Sequence, residues 1–103
     1  MSVIVDFSIF PVDKEASVSP YVAKAVKIIR ESSLDHQTGP MGTCIEGKWE
    51  DVMGVVSRCF EKMKEDSSRI YMTLKVDYRR GYSGRLTAKV KSIEEKLGPV
   101  KKN

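Results

Sequence analysis

From residue 3 to residue 10 the chain alternates. Val3, Val5, Phe7 and Ile9 point one way, while Ile4, Asp6, Ser8 and Phe10 point the other. A period of two built on β-branched and aromatic residues predicts a strand, and Pro11 is expected to end it. After a loop, Ser19 and Pro20 give a helix-start signal, with Ser19 as N-cap and Pro20 at the first helical position. Val22, Val26 and Ile29, with Ala25 between them, then form the apolar stripe of a core-facing helix that ends at Ser32-Ser33.

Two short strands, 34–38 and 43–46, flank Gly39-Pro40-Met41-Gly42, a composition that predicts a hairpin turn. The strongest helical pattern covers 49–63, where Trp49, Val52, Met53, Val56, Cys59, Phe60 and Met63 recur at spacings of three and four. Trp49 heads that stripe and is read as core. Residues 69–78 alternate again. Ile70, Met72, Leu74, Val76 and Tyr78 share one face and Tyr71, Thr73, Lys75 and Asp77 the other. A loop with Arg79, Arg80, Gly81, Gly84 and Arg85 follows. A last helix carries Leu86, Val90, Ile93 and Leu97; Gly98-Pro99 stops it, and the tail from about 98 is expected to fray.

The order β-α-β-β-α-β, plus a C-terminal helix, predicts an α+β fold: a ferredoxin-like split βαβ sandwich over a four-stranded antiparallel sheet. The odd residues of the first strand and the even residues of the fourth should face the helices. The other sheet face should carry Ile4, Asp6, Ser8, Phe10, Tyr71, Thr73, Lys75 and Asp77. That mixture is too apolar to be idle and too polar for a core, so it suits an oligomer interface or a ligand platform.

Length fits this reading. One hundred and three residues make a single domain, since two cores would each fall near the lower limit for independent folding. No apolar run approaches the ~20 residues that cross a bilayer. The first ten residues lack a basic start and are interrupted by Asp6, so they read as a strand and not a secretion signal. Two distant cysteines give neither a disulfide framework nor ordinary zinc spacing. The expectation is a soluble, cytoplasmic protein.

Charge divides the chain. Residues 1–66 carry 8 basic and 11 acidic side chains, whereas 67–103 carry 10 basic and 3 acidic. A basic half raises the nucleic-acid alternative, but no recognition motif accompanies it, and a solvated basic helix and tail explains the same charge. Enzyme signatures are also lacking. Counting about the turn sets Gln37 opposite Cys44 and His36 opposite Ile45, so no Cys–His pair meets head-on. The loop before the first helix has neither the glycines nor the arginine of a phosphate cradle. Polar and aromatic groups do gather near element ends: Ser17, Ser19, Tyr21, Thr43, Glu46, Lys75 and Asp77. Singly, each has an ordinary structural explanation.

Taken in order, these residues form a pattern. Ser17-x-Ser19-x-Tyr21-Val22, Gly39-Pro40-Met41-Gly42-Thr43-x-x-Glu46-Gly47, Arg69-Ile70-Tyr71-Met72-Thr73-Leu74-Lys75-Val76-Asp77 and Lys89-Val90-x-Ser92 resemble the small thiamine-binding-protein family of about one hundred residues. The resemblance spans nearly the whole chain. It implies subunits joined through their sheets, commonly as a tetramer built from dimers. It also implies binding of thiamine or its hydroxymethyl-pyrimidine portion, with no established catalysis and no cofactor beyond that ligand. No membrane is an expected partner, and a nucleic acid, bound through the basic C-terminal half, stays the alternative to the small-molecule reading. Carried over by position, it points first to Ser19, Tyr21, Thr43 and Glu46, then to Ser17, Lys75 and Asp77. Glu46 would accept the pyrimidine amino group or offset the thiazolium charge. Thr43 and Ser19 would hydrogen-bond ring nitrogens or the hydroxyl, and Tyr21 would pack on a ring.

Overall fold

A computed structural model of the chain describes residues 2–13, 18–86 and 93. The elements are β1 (Val3–Pro11), α1 (Ser19–Glu31), β2 (Asp35–Gly39), β3 (Gly42–Gly47), α2 (Trp49–Lys64) and β4 (Ile70–Tyr78). The sheet is antiparallel throughout, in the order β2-β3-β1-β4, with both helices on one face. This is the α+β arrangement that the period-two and helical patterns predict. Of the expected last helix, only Leu86 and Ile93 are described, both helical, and Arg85, expected in the loop before it, is helical too. The rest of it, the tail from about 98 and Ser17 lie outside the described residues.

Burial follows strand parity. Val3, Val5, Phe7 and Ile9 of β1 join Ile45, Ala25, Ile29, Val52, Val55, Val56, Cys59 and Met63 in one core. Burial also pushes the Cys59 thiol up to about 11 against a small opposing effect of Arg58. The thiol donates to the Ala25 carbonyl at 3.6 Å, so this cysteine is a packed, inert residue joining the two helices.

The β1 strand continues through Pro11, one residue beyond the expected end. The ladder explains the tolerance. Val12 donates to the Arg69 carbonyl at 2.9 Å, so the neighbouring Pro11–Ile70 pair is of the non-hydrogen-bonded kind. The missing N–H of Pro11 therefore faces away from β4, on the side where β3 pairing has already stopped at Phe7.

Two further expectations are corrected. Ser19 is not the N-cap of α1. The cap position belongs to Val18, whose carbonyl accepts from the N–H groups of Tyr21 and Val22, each at 3.0 Å, and no side chain caps the helix. These backbone bonds to the Val18 carbonyl start the helical turn one residue earlier than expected.

Trp49 is not core: it is 50% exposed. The helices lie over β1, β3 and β2 and do not extend across β4. The first residue of α2 therefore reaches past the covered part of the sheet. The same offset leaves Met72, Val76 and Tyr78 exposed, although Ile70 and Leu74 on the same face pack against the core.

Side-chain bonds hold the connections. Asp13, just after β1, accepts from the Ser67 hydroxyl and from both the N–H and hydroxyl of Ser68, which fixes the α2–β4 turn. Lys24 on α1 meets Asp66 beyond α2 at 2.7 Å.

Candidate functional site

The hairpin register places residues at the site. Pairing runs Gly39↔Gly42, Thr38↔Thr43, Gln37↔Cys44, His36↔Ile45 and Asp35↔Glu46. Thr43 also pairs with Phe7 and Ile45 with Val5, so odd residues of β3 share the helix-covered face. Cys44 and Glu46 pair with Asp6 and Ile4 and belong to the opposite face. Cys44 and His36 therefore do not meet. His36 Nδ1 contacts the Leu34 carbonyl at 2.9 Å, a local structural role.

On the helix-covered face, a cavity of about 280 Å3 opens between α1 and the hairpin tip. Phe7, Ile9, Val22, Val26, Thr38 and Thr43 are among its lining residues, with Met41 at the turn. The volume lies just under the ~300–1,000 Å3 of ordinary small-molecule sites, enough for one ring system. Its walls are apolar, and the Thr38 and Thr43 hydroxyls supply polarity. Thr43 is buried, and its Oγ1 stands 3.5 Å from that of Thr38. A contact that long is weak, which leaves both hydroxyls with donor and acceptor capacity for a ligand. The mouth depends on Gly42, whose φ is +155°; a Cβ there would stand 2.9 Å from the Phe7 carbonyl oxygen.

On the open face, Glu46 is buried and its carboxylate serves the chain itself. It accepts from the Ser2 hydroxyl at 2.7 Å and from the backbone N–H groups of Arg85 and Leu86, each at 3.0 Å. Burial pushes its carboxyl up, but the Ser2, Leu86 and Arg85 bonds and the Arg85 charge outweigh that effect and hold it below its ordinary value. Arg85 also reaches Asp77, with Nη1 at 3.3 Å from the carboxylate and Nη2 at 3.1 Å from the backbone carbonyl. Glu46, Asp77 and Arg85 thus anchor the segment after β4 across the end of the open face. Lys75 stands opposite Asp6 on the same face, beside a cavity of about 330 Å3 that Leu86 helps to close.

The six described residues of the seven expected from sequence do not gather at one place in the chain. Thr43 lines the α1–hairpin cavity. Tyr21 packs against the core on the other side of α1, with the Lys24 ammonium 5.7 Å from its ring. Ser19 is exposed at the helix start. Glu46, Lys75 and Asp77 occupy the open face, and Ser17 is outside the described residues. Thr38, absent from the expected set, faces Thr43. The turn count that sets Gln37 opposite Cys44 also sets Thr38 opposite Thr43, so the signal was present. Among the described residues, no group of three His, Cys, Asp or Glu side chains is arranged to hold a metal.

Comparison with known proteins gives one family. Residues 5–94 match the family model described as thiamine-binding protein. A UPF0045 protein of Mycobacterium bovis is 39% identical over 98 residues, covering 94% of this chain and 96% of its own. The crystal structure of a hypothetical protein from Methanocaldococcus jannaschii superposes with a TM-score of 0.83 at 32% identity, covering 91% of this chain and 97% of that one. A Thermotoga maritima structure, provisionally assigned to thiamine biosynthesis or salvage, shares the fold with a TM-score of 0.81 at 22% identity, covering 90% of this chain and 99% of that one. With the ferredoxin-like sheet, the matched span and these relatives in agreement, the chain belongs to the thiamine-binding protein family.

Proposed function

We propose that this protein binds thiamine or its hydroxymethyl-pyrimidine portion without catalysis, as a homo-oligomer, with the pyrimidine ring in the α1–hairpin cavity. The observation that carries the reading is the cavity itself. It is apolar, sized for one ring, and has the Thr38 and Thr43 hydroxyls in its wall in a member of a thiamine-binding family. A flat heteroaromatic ring suits apolar walls, and its ring nitrogens and amino group need the few polar partners such a site provides. A binder of this kind calls for no resident cofactor.

Isothermal titration calorimetry with thiamine, and then with hydroxymethyl-pyrimidine alone, tests the proposal. Both should bind saturably. Thr43→Val removes one hydrogen-bonding group at nearly constant volume and should weaken both about three- to tenfold, the equivalent of one modest hydrogen bond. Unchanged affinity in Thr43→Val would move the ring out of this cavity. No saturable heat from either compound would remove the vitamin-binding reading.

A further inference from the structure

A second cavity, of about 480 Å3, lies where β1 begins and β4 ends, and the vitamin-binding reading does not use it. Val3, Lys48, Trp49, Glu50, Val76 and Tyr78 are among its lining residues. It opens on the helix-covered face, but at the other end of β1 from the α1–hairpin cavity. Val3 to Ile9 is roughly 20 Å along an extended strand.

Two aromatic side chains in its wall are half exposed. Trp49 is 50% exposed and Tyr78 is 53% exposed, because the helices stop short of β4. Both line the same cavity, and exposed aromatic rings are the side chains on which planar rings stack.

The loop after β4 brings positive charge to the same end. Tyr78 is followed directly by Arg79 and Arg80, and Lys48 lies in the cavity wall. The loop is fastened to the rim, since the Ser2 N–H donates to the Tyr82 carbonyl at 3.2 Å and Ser2 itself lines the cavity. The Tyr82 N–H closes the turn onto the Arg79 carbonyl at 3.2 Å, with Gly81 at a φ of +80°. The Arg79 guanidinium lies 3.8 Å from the centroid of the Tyr82 ring, a stacking that holds its planar fork in place. Among the described residues, Lys48 and Glu50 are the charged groups of the wall itself, and the Arg79–Arg80 turn adds two cations beside its rim, where Ser2 joins it.

We propose that this cavity binds a phosphorylated aromatic compound, its ring against Trp49 and Tyr78 and its phosphate toward Arg79, Arg80 and Lys48. Each half of the site asks for one half of that ligand. The aromatic wall holds a planar ring and has no use for a bare anion. The arginines hold a phosphate, through paired N–H groups matched to its oxygens, and have no use for a neutral ring. A nucleotide is the simplest compound with both parts, free or as a unit of a single strand. This assignment is independent of whether thiamine occupies the other cavity.

Trp49 is the only tryptophan, so its fluorescence in the full chain reads the site directly. The titrants are adenosine monophosphate, adenosine, inorganic phosphate and a short oligoadenylate. Saturable quenching by the monophosphate is expected. Adenosine should bind about tenfold or more weakly, and phosphate alone should leave the signal unchanged. The Arg79→Ala/Arg80→Ala variant changes two exposed residues and should weaken the monophosphate about tenfold while its circular dichroism stays unchanged. Tyr78→Leu should weaken adenosine and the monophosphate alike. Binding should fall as salt rises. A much tighter oligoadenylate with the same arginine dependence would support the same chemistry with a strand as its source, and equal affinities would support a free nucleotide. Adenosine binding as well as the monophosphate, an arginine double variant indistinguishable from wild type, or no saturable quenching would each overturn the proposal.

Discussion

Glu46 shows how much one carboxylate can hold together. Its oxygens take a hydroxyl from the first residues of the chain and two consecutive N–H groups from the segment after β4. These partners are distant in sequence, so the residue closes the N-terminal and C-terminal ends of the fold onto the sheet. Glu46→Gln keeps the shape, but it turns one acceptor oxygen into a donor that faces another donor. The unfolding free energy should drop by roughly 1–3 kcal/mol, the usual cost of an unsatisfied buried polar group. Urea denaturation at neutral pH measures it, and an unchanged midpoint would deny Glu46 this role. The sign with pH follows from its depressed pKa. The stabilisation from the ionised carboxylate is fully present above its ordinary value of 4.5 and is lost as pH falls through the lower value it has in the folded chain. Wild type and Glu46→Gln should therefore converge in stability as the solution is acidified. Part of this was legible in the sequence. Thr43 and Glu46 differ by an odd number along one strand, so they must lie on opposite faces, and a single ligand cannot lie between them in one protomer. That a carboxylate near a strand end would be engaged by backbone N–H groups some 40 positions later is a tertiary fact with no local sign.

At the level of elements, the β2–β3 hairpin sets the shape of the α1–hairpin cavity, and Gly42 sets the hairpin. Its φ of +155° and the 2.9 Å approach of the Phe7 carbonyl mean that a side chain is opposed twice, by backbone conformation and by a neighbouring strand. Gly81 also has a positive φ, but it has nothing within 4 Å of a built Cβ. Gly42→Ala should therefore cost about 1–3 kcal/mol, and more than Gly81→Ala, with thermal unfolding of the two variants as the comparison. Equal losses would mean that β3 moves freely away from β1. The hairpin could be foreseen because glycine and proline cluster between two short alternating runs. Strand faces could be foreseen because a period of two depends on the strand alone. The exposure of Trp49 could not. Its spacing from Val52, Met53 and Val56 is that of a core residue, and only the lateral offset of α2 on the sheet leaves it uncovered. Ser19 failed as a cap because the helical bonds already begin at the Val18 carbonyl, which puts Ser19 inside the first turn.

For the whole molecule, the open face of the sheet divides into a closed end and a bare end. Near the start of β1, Ile4 is only 7% exposed, and the Arg85–Leu86 segment is tied down beside it by Glu46 and Asp77. Toward the end of β1, Phe10 and Tyr71 form a tilted ring pair with centroids 5.6 Å apart, and Tyr71 remains 54% exposed. Aromatic area of this kind, bordered by Ser8 and Thr73 in the next row of the sheet, is what a two-fold contact between identical sheets can bury. Contact through this end would leave the Trp49 cavity clear, since none of that cavity's lining residues belongs to the patch, whereas Ser8 and Phe10 also line the α1–hairpin cavity, so the contact would border that site. It would also explain why the face tolerates charge only toward Asp6, Lys75 and Asp77. Tyr71→Glu tests the proposed association. The glutamate would carry an uncompensated charge into a desolvated contact, whereas on an isolated protomer it would sit on an exposed strand position and cost little. If the proposed association is right, light scattering should show a wild type heavier than one chain and a Tyr71→Glu variant of reduced mass, with circular dichroism unchanged. An oligomer that survives Tyr71→Glu must be joined elsewhere, and the Phe10–Tyr71 pair would then be a surface of the finished assembly.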